Sequence, residues 1–157
     1  MIEVSFEAPA EPLAIVATTR LPHPVARVWQ AYTEPLFLQR WWAPHGYTNR
    51  AAEIDATPGG AWQLVQTDSA GNSFSFYGRV ESLERQSLLT RTLVSELFPD
   101  VTVRVRVEMA GTAHGTLVAT SYVFPDERAR AGFLGLGGVE RLREELERLD
   151  ALLLEMR

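Results

Sequence analysis

The 157-residue chain contains no cysteine and no lysine, because its 15 basic residues are all arginine. Without cysteine there are no disulfides, no thiolate nucleophiles and no thiolate zinc sites. Without lysine the chain has neither a Schiff-base lysine nor a P-loop lysine. The 20 acidic residues give a formal net charge of -5, which opposes binding to nucleic-acid phosphates. We therefore expect no nucleic-acid partner.

Long hydrophobic runs are also absent. No stretch approaches the roughly 20 apolar residues of a membrane helix, and the acidic start of the chain does not resemble a secretory signal. We therefore expect a cytoplasmic protein without membrane insertion. The length and the 46% hydrophobic content suit one folded domain. We assign that domain to residues 1–157, with an N-terminal lead-in over 1–11 and a folded core over 12–156.

The apolar patterns predict an α+β order of one strand, two short helices, six strands and one long helix. β-branched residues favour a strand over 13–20, and apolar positions three and four apart then predict two short helices that end at Pro35 and Pro44. Turn residues separate six strand-length runs, at 50–57, 61–68, 73–83, 88–95, 101–109 and 116–124. An apolar stripe predicts the last helix, with Val139, Leu142, Leu146, Leu149, Leu153 and Met156 spaced three and four apart.

The widths of these elements predict an internal cavity. Short connections between the six strands favour an antiparallel meander. Seven strands about 4.8 Å apart span roughly 30 Å, whereas one helix is only about 10–12 Å across. A sheet that curls around this helix encloses space between them. We predict a seven-stranded curved antiparallel sheet, with the long C-terminal helix over its concave face and an apolar ligand site between them.

Two local runs carry a resemblance to a known family: WWAPHG at 41–46 and PGGAW at 58–62. Together with the order of elements, they resemble the family named for the C-terminal domain of the activator of the heat-shock protein 90 ATPase. That family belongs to the START-like (SRPBCC) helix-grip superfamily, and the resemblance covers about residues 13–155. It implies a helix-grip fold that binds a small hydrophobic molecule, and we expect no cofactor. Many relatives carry Gly-Trp before the last helix; this chain has Gly137-Gly138, which predicts a more open or more mobile mouth over 132–138.

Parity and spacing direct a set of large side chains towards the expected cavity. An indole beside a cavity both packs and donates one hydrogen bond, so core packing and ligand contact stay open as alternatives for the tryptophans. Tyr122 is a candidate hydroxyl donor, although the parity of its strand is ambiguous. The expected lining residues are Trp42, Trp62, Leu64, Phe74, Phe76, Val103, Val105, Tyr122, Leu136, Leu142 and Leu146.

Titratable residues give only weak indications of chemistry. The three histidines fall in separate turns, so we expect no metal site. His45 is a candidate general base at the cavity mouth, with a solvated loop residue as the alternative. Asp55 shares a strand face with Glu53, a spacing suited to paired acid–base work, with a local turn acceptor as the alternative. We expect binding rather than catalysis and keep only His45 and Asp55 as catalytic candidates.

Two further functions stay open beside ligand binding. The resemblance allows a co-chaperone in the stress response that docks on a chaperone ATPase, which we rank lower because this chain lacks the additional N-terminal domain of the named activator. The superfamily also contains polyketide cyclases, so a cyclase- or hydrolase-like enzyme that uses the same cavity is the third candidate. Spare apolar surface on a small domain is compatible with a homodimer.

Overall fold

The computed structural model describes residues 2–156 and contains eight strands and four helices among them. No helix in this described part is both long enough and apolar enough to cross a bilayer. In chain order, the strands β1 to β8 are Val4–Glu7, Ala14–Leu21, Thr48–Ile54, Ala61–Thr67, Ser73–Glu84, Leu88–Ser95, Val103–Thr112 and Gly115–Val123. The helices α1 to α4 are Val25–Thr33, Pro35–Trp41, Glu127–Gly135 and Gly138–Glu155.

The strands form one antiparallel sheet in the order β1-β2-β8-β7-β6-β5-β4-β3. The run from β3 to β8 is the predicted meander, and β2 pairs with β8 at its far side. The predicted number of seven strands is wrong: the sheet has eight, because the N-terminal lead-in supplies β1. This strand pairs with β2 from Val4 opposite Thr19 to Glu7 opposite Val16. Its half-buried Val4 and Phe6 alternate with exposed residues, so one of its faces packs on the core.

The segment before the last helix also differs from its prediction. Its glycines suggested a flexible connection, but residues 127–135 form α3. The Asp126 carboxylate caps this helix by accepting a hydrogen bond from the backbone N–H of Ala129 at 2.8 Å. Gly137, with φ of +77°, separates α3 from α4. A good cap therefore compensates for glycines that are poor helix formers.

The two clearest periodic patterns are confirmed. In β7, the buried residues Val105, Val107 and Met109 alternate with exposed charged residues. In α4, the leucine stripe is buried from Leu142 to Leu153. Both elements could be predicted because β7 keeps a period of two and α4 keeps a helical period along most of its length.

The loop after α2 is fastened to α4 by Arg148. The two N–H groups of its Nη1 are shared among the carbonyl oxygens of Ala43, Pro44 and Tyr47, which lie 2.9, 3.0 and 2.9 Å from this nitrogen. In the same region, the Trp41 indole N–H donates to the carbonyl of Ala31 in α1 at 2.9 Å. Charge-assisted bonds to several carbonyls at once are among the stronger contacts in a small domain. They hold α1, α2 and α4 together.

Candidate functional site

An internal cavity of about 20 Å³ lies among residues of α1, α2, α4 and four strands. Every residue that lines it is buried, and its volume suits about one water molecule. The protein's own side chains therefore fill most of the space that the width argument predicted. The lining residues are Ala17, Tyr32, Trp41, Trp42, Arg91, Val107, Thr120, Tyr122, Leu142, Glu145 and Leu146.

The cavity is more polar than the sequence predicted. Five of its lining residues carry a hydroxyl, guanidinium or carboxyl group: Tyr32, Arg91, Thr120, Tyr122 and Glu145. Arginine and glutamate are rarely buried to this degree unless they are paired. A binding pocket typically combines apolar walls with a few polar groups that orient the ligand, and this cavity has both.

Arg91 lies between two indole rings. Its guanidinium carbon is 4.5 Å from the ring centroid of Trp62 and 5.5 Å from that of Trp42, so both contacts are cation–π interactions. The Trp62 indole N–H donates to the carbonyl of Thr92 at 2.7 Å. A side chain at Gly78 would block this arrangement, because its Cβ would lie 2.0 Å from that carbonyl oxygen. The pairing of β4, β5 and β6 thus fixes the position of the Trp62 ring on which the Arg91 guanidinium packs.

Glu145 extends from α4 into the same cavity and is 7% exposed. Burial raises the pKa of its carboxyl from 4.5 to about 7. The charges of Arg141, Arg91 and Arg148 oppose this rise, and the charge of Glu144 adds to it. Glu145 therefore exchanges a proton near neutral pH, which an exposed glutamate does not do.

The remaining polar groups keep fixed protonation states near neutral pH. Burial raises the pKa of the Tyr32 and Tyr122 hydroxyls well above the ordinary value of 10.0. Both hydroxyls therefore stay protonated and are available as hydrogen-bond donors. Burial lowers the pKa of the Arg91 guanidinium from 12.5, but an arginine in a protein remains a cation.

The structure brings four of the predicted lining residues to the cavity: Trp42, Tyr122, Leu142 and Leu146. Trp62, Leu64 and Val105 are buried in the core without lining it. Trp62 instead lies behind Arg91. Alternation along a strand identifies the inner face, but it does not identify which inner residues meet the cavity.

The other predicted lining residues lie further out. Phe76 packs edge-on against Trp42 at 5.3 Å between ring centroids, and Phe74 tilts against Tyr47 at 6.4 Å. Val103 is half-buried at the start of β7, and Leu136 is 66% exposed at the end of α3. These four side chains do not line the cavity.

The two catalytic candidates lie outside the cavity. His45 is exposed; its backbone N–H donates to Glu144 at 3.0 Å, and its ring Nε2 is 3.4 Å from Glu147. Asp55 is exposed and accepts a hydrogen bond from the Thr57 hydroxyl at 2.9 Å, as a turn acceptor does. Within residues 2–156 no group of three or more histidine, aspartate or glutamate side chains is arranged to hold a metal ion.

Sequence reasoning missed Arg91 and Glu145, although each carried a detectable signal. Arg91 lies two residues from both Leu89 and Leu93 and so shares their strand face, which places it on the inner side. Glu145 follows Leu142 by three residues and precedes Leu149 by four, so it lies on the apolar stripe of α4. In both cases the charge of the residue suggested an exposed position and outweighed its spacing.

Comparison with known proteins identifies a family. The family model described as "Activator of Hsp90 ATPase homolog 1-like protein" matches residues 22–153. No curated protein matches the chain significantly. The family match confirms the resemblance that the two sequence runs predicted.

Solved structures share the fold. A crystal structure of a protein from Nitrosomonas europaea is 26% identical, covers 92% of this chain and 96% of its own, and has a TM-score of 0.85. A protein from Rhodobacter sphaeroides is 19% identical over 99% of this chain and 100% of its own, with a TM-score of 0.89. An AHSA1-like protein from Aeromonas hydrophila is 20% identical over 88% of this chain and 92% of its own, with a TM-score of 0.70.

Proposed function

Because the chain belongs to the family of activator of Hsp90 ATPase homolog 1-like proteins, we propose that it works as a single START-like domain that binds a small amphipathic molecule. In this proposal α4 covers the concave face of the sheet, and the ligand occupies an enlarged form of the cavity beneath it. The observation that carries the proposal is the set of polar side chains that face this cavity from α1, α4, β6 and β8. A core built only for stability has no need of a guanidinium and a carboxyl group in the same space.

A ligand larger than water requires the cavity to open, and α3 is the element that can move. No residue of α3 is fully buried, and elements with little buried surface separate at low free energy. Its Phe133 ring stacks on the ring of Tyr122 at 5.9 Å and lies 5.3 Å from that of Phe124. Because Tyr122 lines the cavity, withdrawal of Phe133 uncovers one of its walls.

Phe133 can pack in this position only because Gly138 has no side chain. A Cβ at Gly138 would lie 2.3 Å from the ring of Phe133, so this aromatic side chain packs directly on the first turn of α4. The ring occupies space beside the Gly137-Gly138 pair that replaces the Gly-Trp of relatives. In our proposal Phe133 is the movable cover of the cavity.

Binding can be tested by native mass spectrometry and thermal shift with decanoate, 1-decanol and a flavonoid as probes. We expect a one-to-one complex and a raised melting temperature with at least one probe. Ala17→Val adds two methyl groups to a cavity of about 20 Å³ and should weaken that complex about tenfold or more. Ala110→Val, on an exposed position of β7, is the matched control and should bind normally.

Two outcomes would contradict the proposal. One is the absence of any complex with wild-type protein. The other is equal binding by wild type and Ala17→Val, which would place the ligand elsewhere.

An enzymatic use of the same cavity is the second candidate, and Glu145 is the observation that favours it. A carboxyl with a pKa of about 7 can act as a general acid or base near neutral pH, a role for which His45 and Asp55 lie in the wrong place. If a bound probe is converted to product, Glu145→Gln should retain the complex and lose the conversion. Conversion that survives this substitution would exclude Glu145 as the catalytic group.

Activation of a chaperone ATPase remains the lower-ranked alternative suggested by the family description. Its test is the ATPase rate of Hsp90 with and without this protein. A clear increase in that rate would favour the co-chaperone role, and an unchanged rate would remove it.

A further inference from the structure

Resting on the proposed function, we propose that the ligand is an amphipathic monocarboxylic acid whose carboxylate binds the Arg91 guanidinium inside the core. Arg91 is 2% exposed and lines the cavity. Its two indole contacts stabilise a cation, but they provide no hydrogen-bond acceptor. The guanidinium has five N–H donors in a planar fork, and a carboxylate matches two of them at once.

The partners of Arg91 within the protein are incomplete. Among residues 2–156, no carboxylate oxygen lies within 4.0 Å of its nitrogens. Its Nε has no hydrogen-bond partner in this part of the chain. A buried charge without a close counterion is strongly unfavourable. The cation is therefore placed where an incoming anion gains most from binding it.

The charge around the cavity favours a single negative charge on the ligand. Arg91 is the only basic residue among the cavity-lining side chains, and Glu145 is the only acidic one. A phosphate with two negative charges would face one guanidinium and a nearby carboxyl group, whereas a carboxylate needs only the guanidinium. The rest of the wall is mostly apolar, with Trp42, Val107, Leu142 and Leu146, and it suits a hydrocarbon or aromatic tail.

Glu145 makes the binding pH-dependent. An ionised Glu145 would repel the ligand carboxylate, whereas a protonated Glu145 can donate a hydrogen bond to it. Arg91 faces the carboxyl of Glu145 from β6, Tyr32 faces it from α1 and Tyr122 from β8, and Arg141, Glu144 and Arg148 act on it from α4. Ligand binding therefore favours uptake of a proton by the protein. Both tyrosines stay neutral, so Glu145 is the group that binds this proton.

The test compares decanoate with 1-decanol, which has the same chain length without the charge. Isothermal titration should show that wild type binds decanoate about tenfold or more tightly than 1-decanol, as expected for one charge-assisted bidentate contact. Arg91→Met should lose this preference and bind the two probes about equally. Arg104→Met, at an exposed arginine of β7, is the matched control and should keep the wild-type preference.

The pH profile gives a second readout. Affinity of wild type for decanoate should fall as the pH rises from about 6 to about 8, through the pKa of Glu145, and affinity for 1-decanol should stay constant. In Glu145→Gln the decanoate affinity should lose this dependence. Because decanoate itself is ionised over this range, the change reports the protein.

The outcomes separate this inference from the proposed function. If wild type binds both probes equally, the cavity still binds ligands, and the role of Arg91 is overturned. Equal decanoate affinity in wild type and folded Arg91→Met overturns it as well. If wild type binds neither probe nor any other molecule tested, the proposed function and this inference fail together. Should Arg91→Met not fold, the comparison of acid with alcohol on wild type decides.

Discussion

Replacement of Glu145 by glutamine should change how the stability of the fold depends on pH. Burial raises the pKa of this carboxyl from 4.5 to about 7, so the folded protein holds the proton more tightly than the unfolded chain does. The contribution of Glu145 to the free energy of unfolding is therefore highest below about pH 4.5 and falls as the pH rises towards about 7. At 1.36 kcal/mol for each pKa unit, the full loss is roughly 3 kcal/mol. Glutamine cannot ionise, so Glu145→Gln should lack this loss.

The measurement is urea unfolding of both proteins from about pH 5 to about pH 8, followed by tryptophan fluorescence. Glu145→Gln should gain stability relative to wild type as the pH rises, and the difference should level off above the pKa of Glu145. Glu140→Gln, at an exposed glutamate of the same helix, is the control and should follow wild type. A pH dependence that is identical in wild type and Glu145→Gln would refute the assignment of a buried, proton-exchanging carboxyl to this position.

Two further substitutions test the packing around the cavity. Gly138→Ala places a Cβ 2.3 Å from the ring of Phe133. It should displace that ring and destabilise the fold by about 1 kcal/mol in thermal or urea unfolding. Gly132→Ala, which meets open space, should be neutral or slightly stabilising, and equal effects would contradict this packing. Arg148→Ala removes the bonds that hold the loop after α2 to α4 and should lower stability by about 2 kcal/mol. Arg143→Ala, at a partly exposed arginine that contacts Glu140 and the Phe6 ring, should lower it by less than about 1 kcal/mol.

Much of the fold is predictable because several of its elements follow a single clear pattern. The strand that contains Met109 and the helix α4 could each be predicted from apolar periodicity and turn residues alone. The strand β1 was missed because four residues among prolines and glutamates carry too little pattern to stand out. The helix α3 was missed because the glycines Gly132 and Gly135 outweighed the cap at Asp126, although one well-placed cap stabilises a helix start by about 1 kcal/mol.

The candidate site is less predictable than the fold. Arg91 and Glu145 lie on inward faces by their spacing, but the same spacing is compatible with a long side chain that turns back to solvent. Whether a charged side chain stays inside depends on its neighbours from distant parts of the chain, here Trp62 on β4 and Trp42 after α2. No local pattern contains that information.

The size of the cavity is a property of packing and not of sheet width. The width argument predicted enclosed space and could not predict how far large side chains from both layers would fill it. Trp41, Trp42 and Tyr122 are among the large side chains that leave a cavity of only about 20 Å³, because interiors pack to nearly uniform density. A ligand must therefore displace side chains before it can bind.

The most direct measurement is a crystal structure of the protein grown with decanoate. We expect electron density for the acid beneath α4, with its carboxylate on the unpartnered Nε and one outer nitrogen of Arg91 and with Phe133 moved away from Tyr122. Density for the acid on the outer surface only, above a cavity that still has room for a single water, would contradict the account.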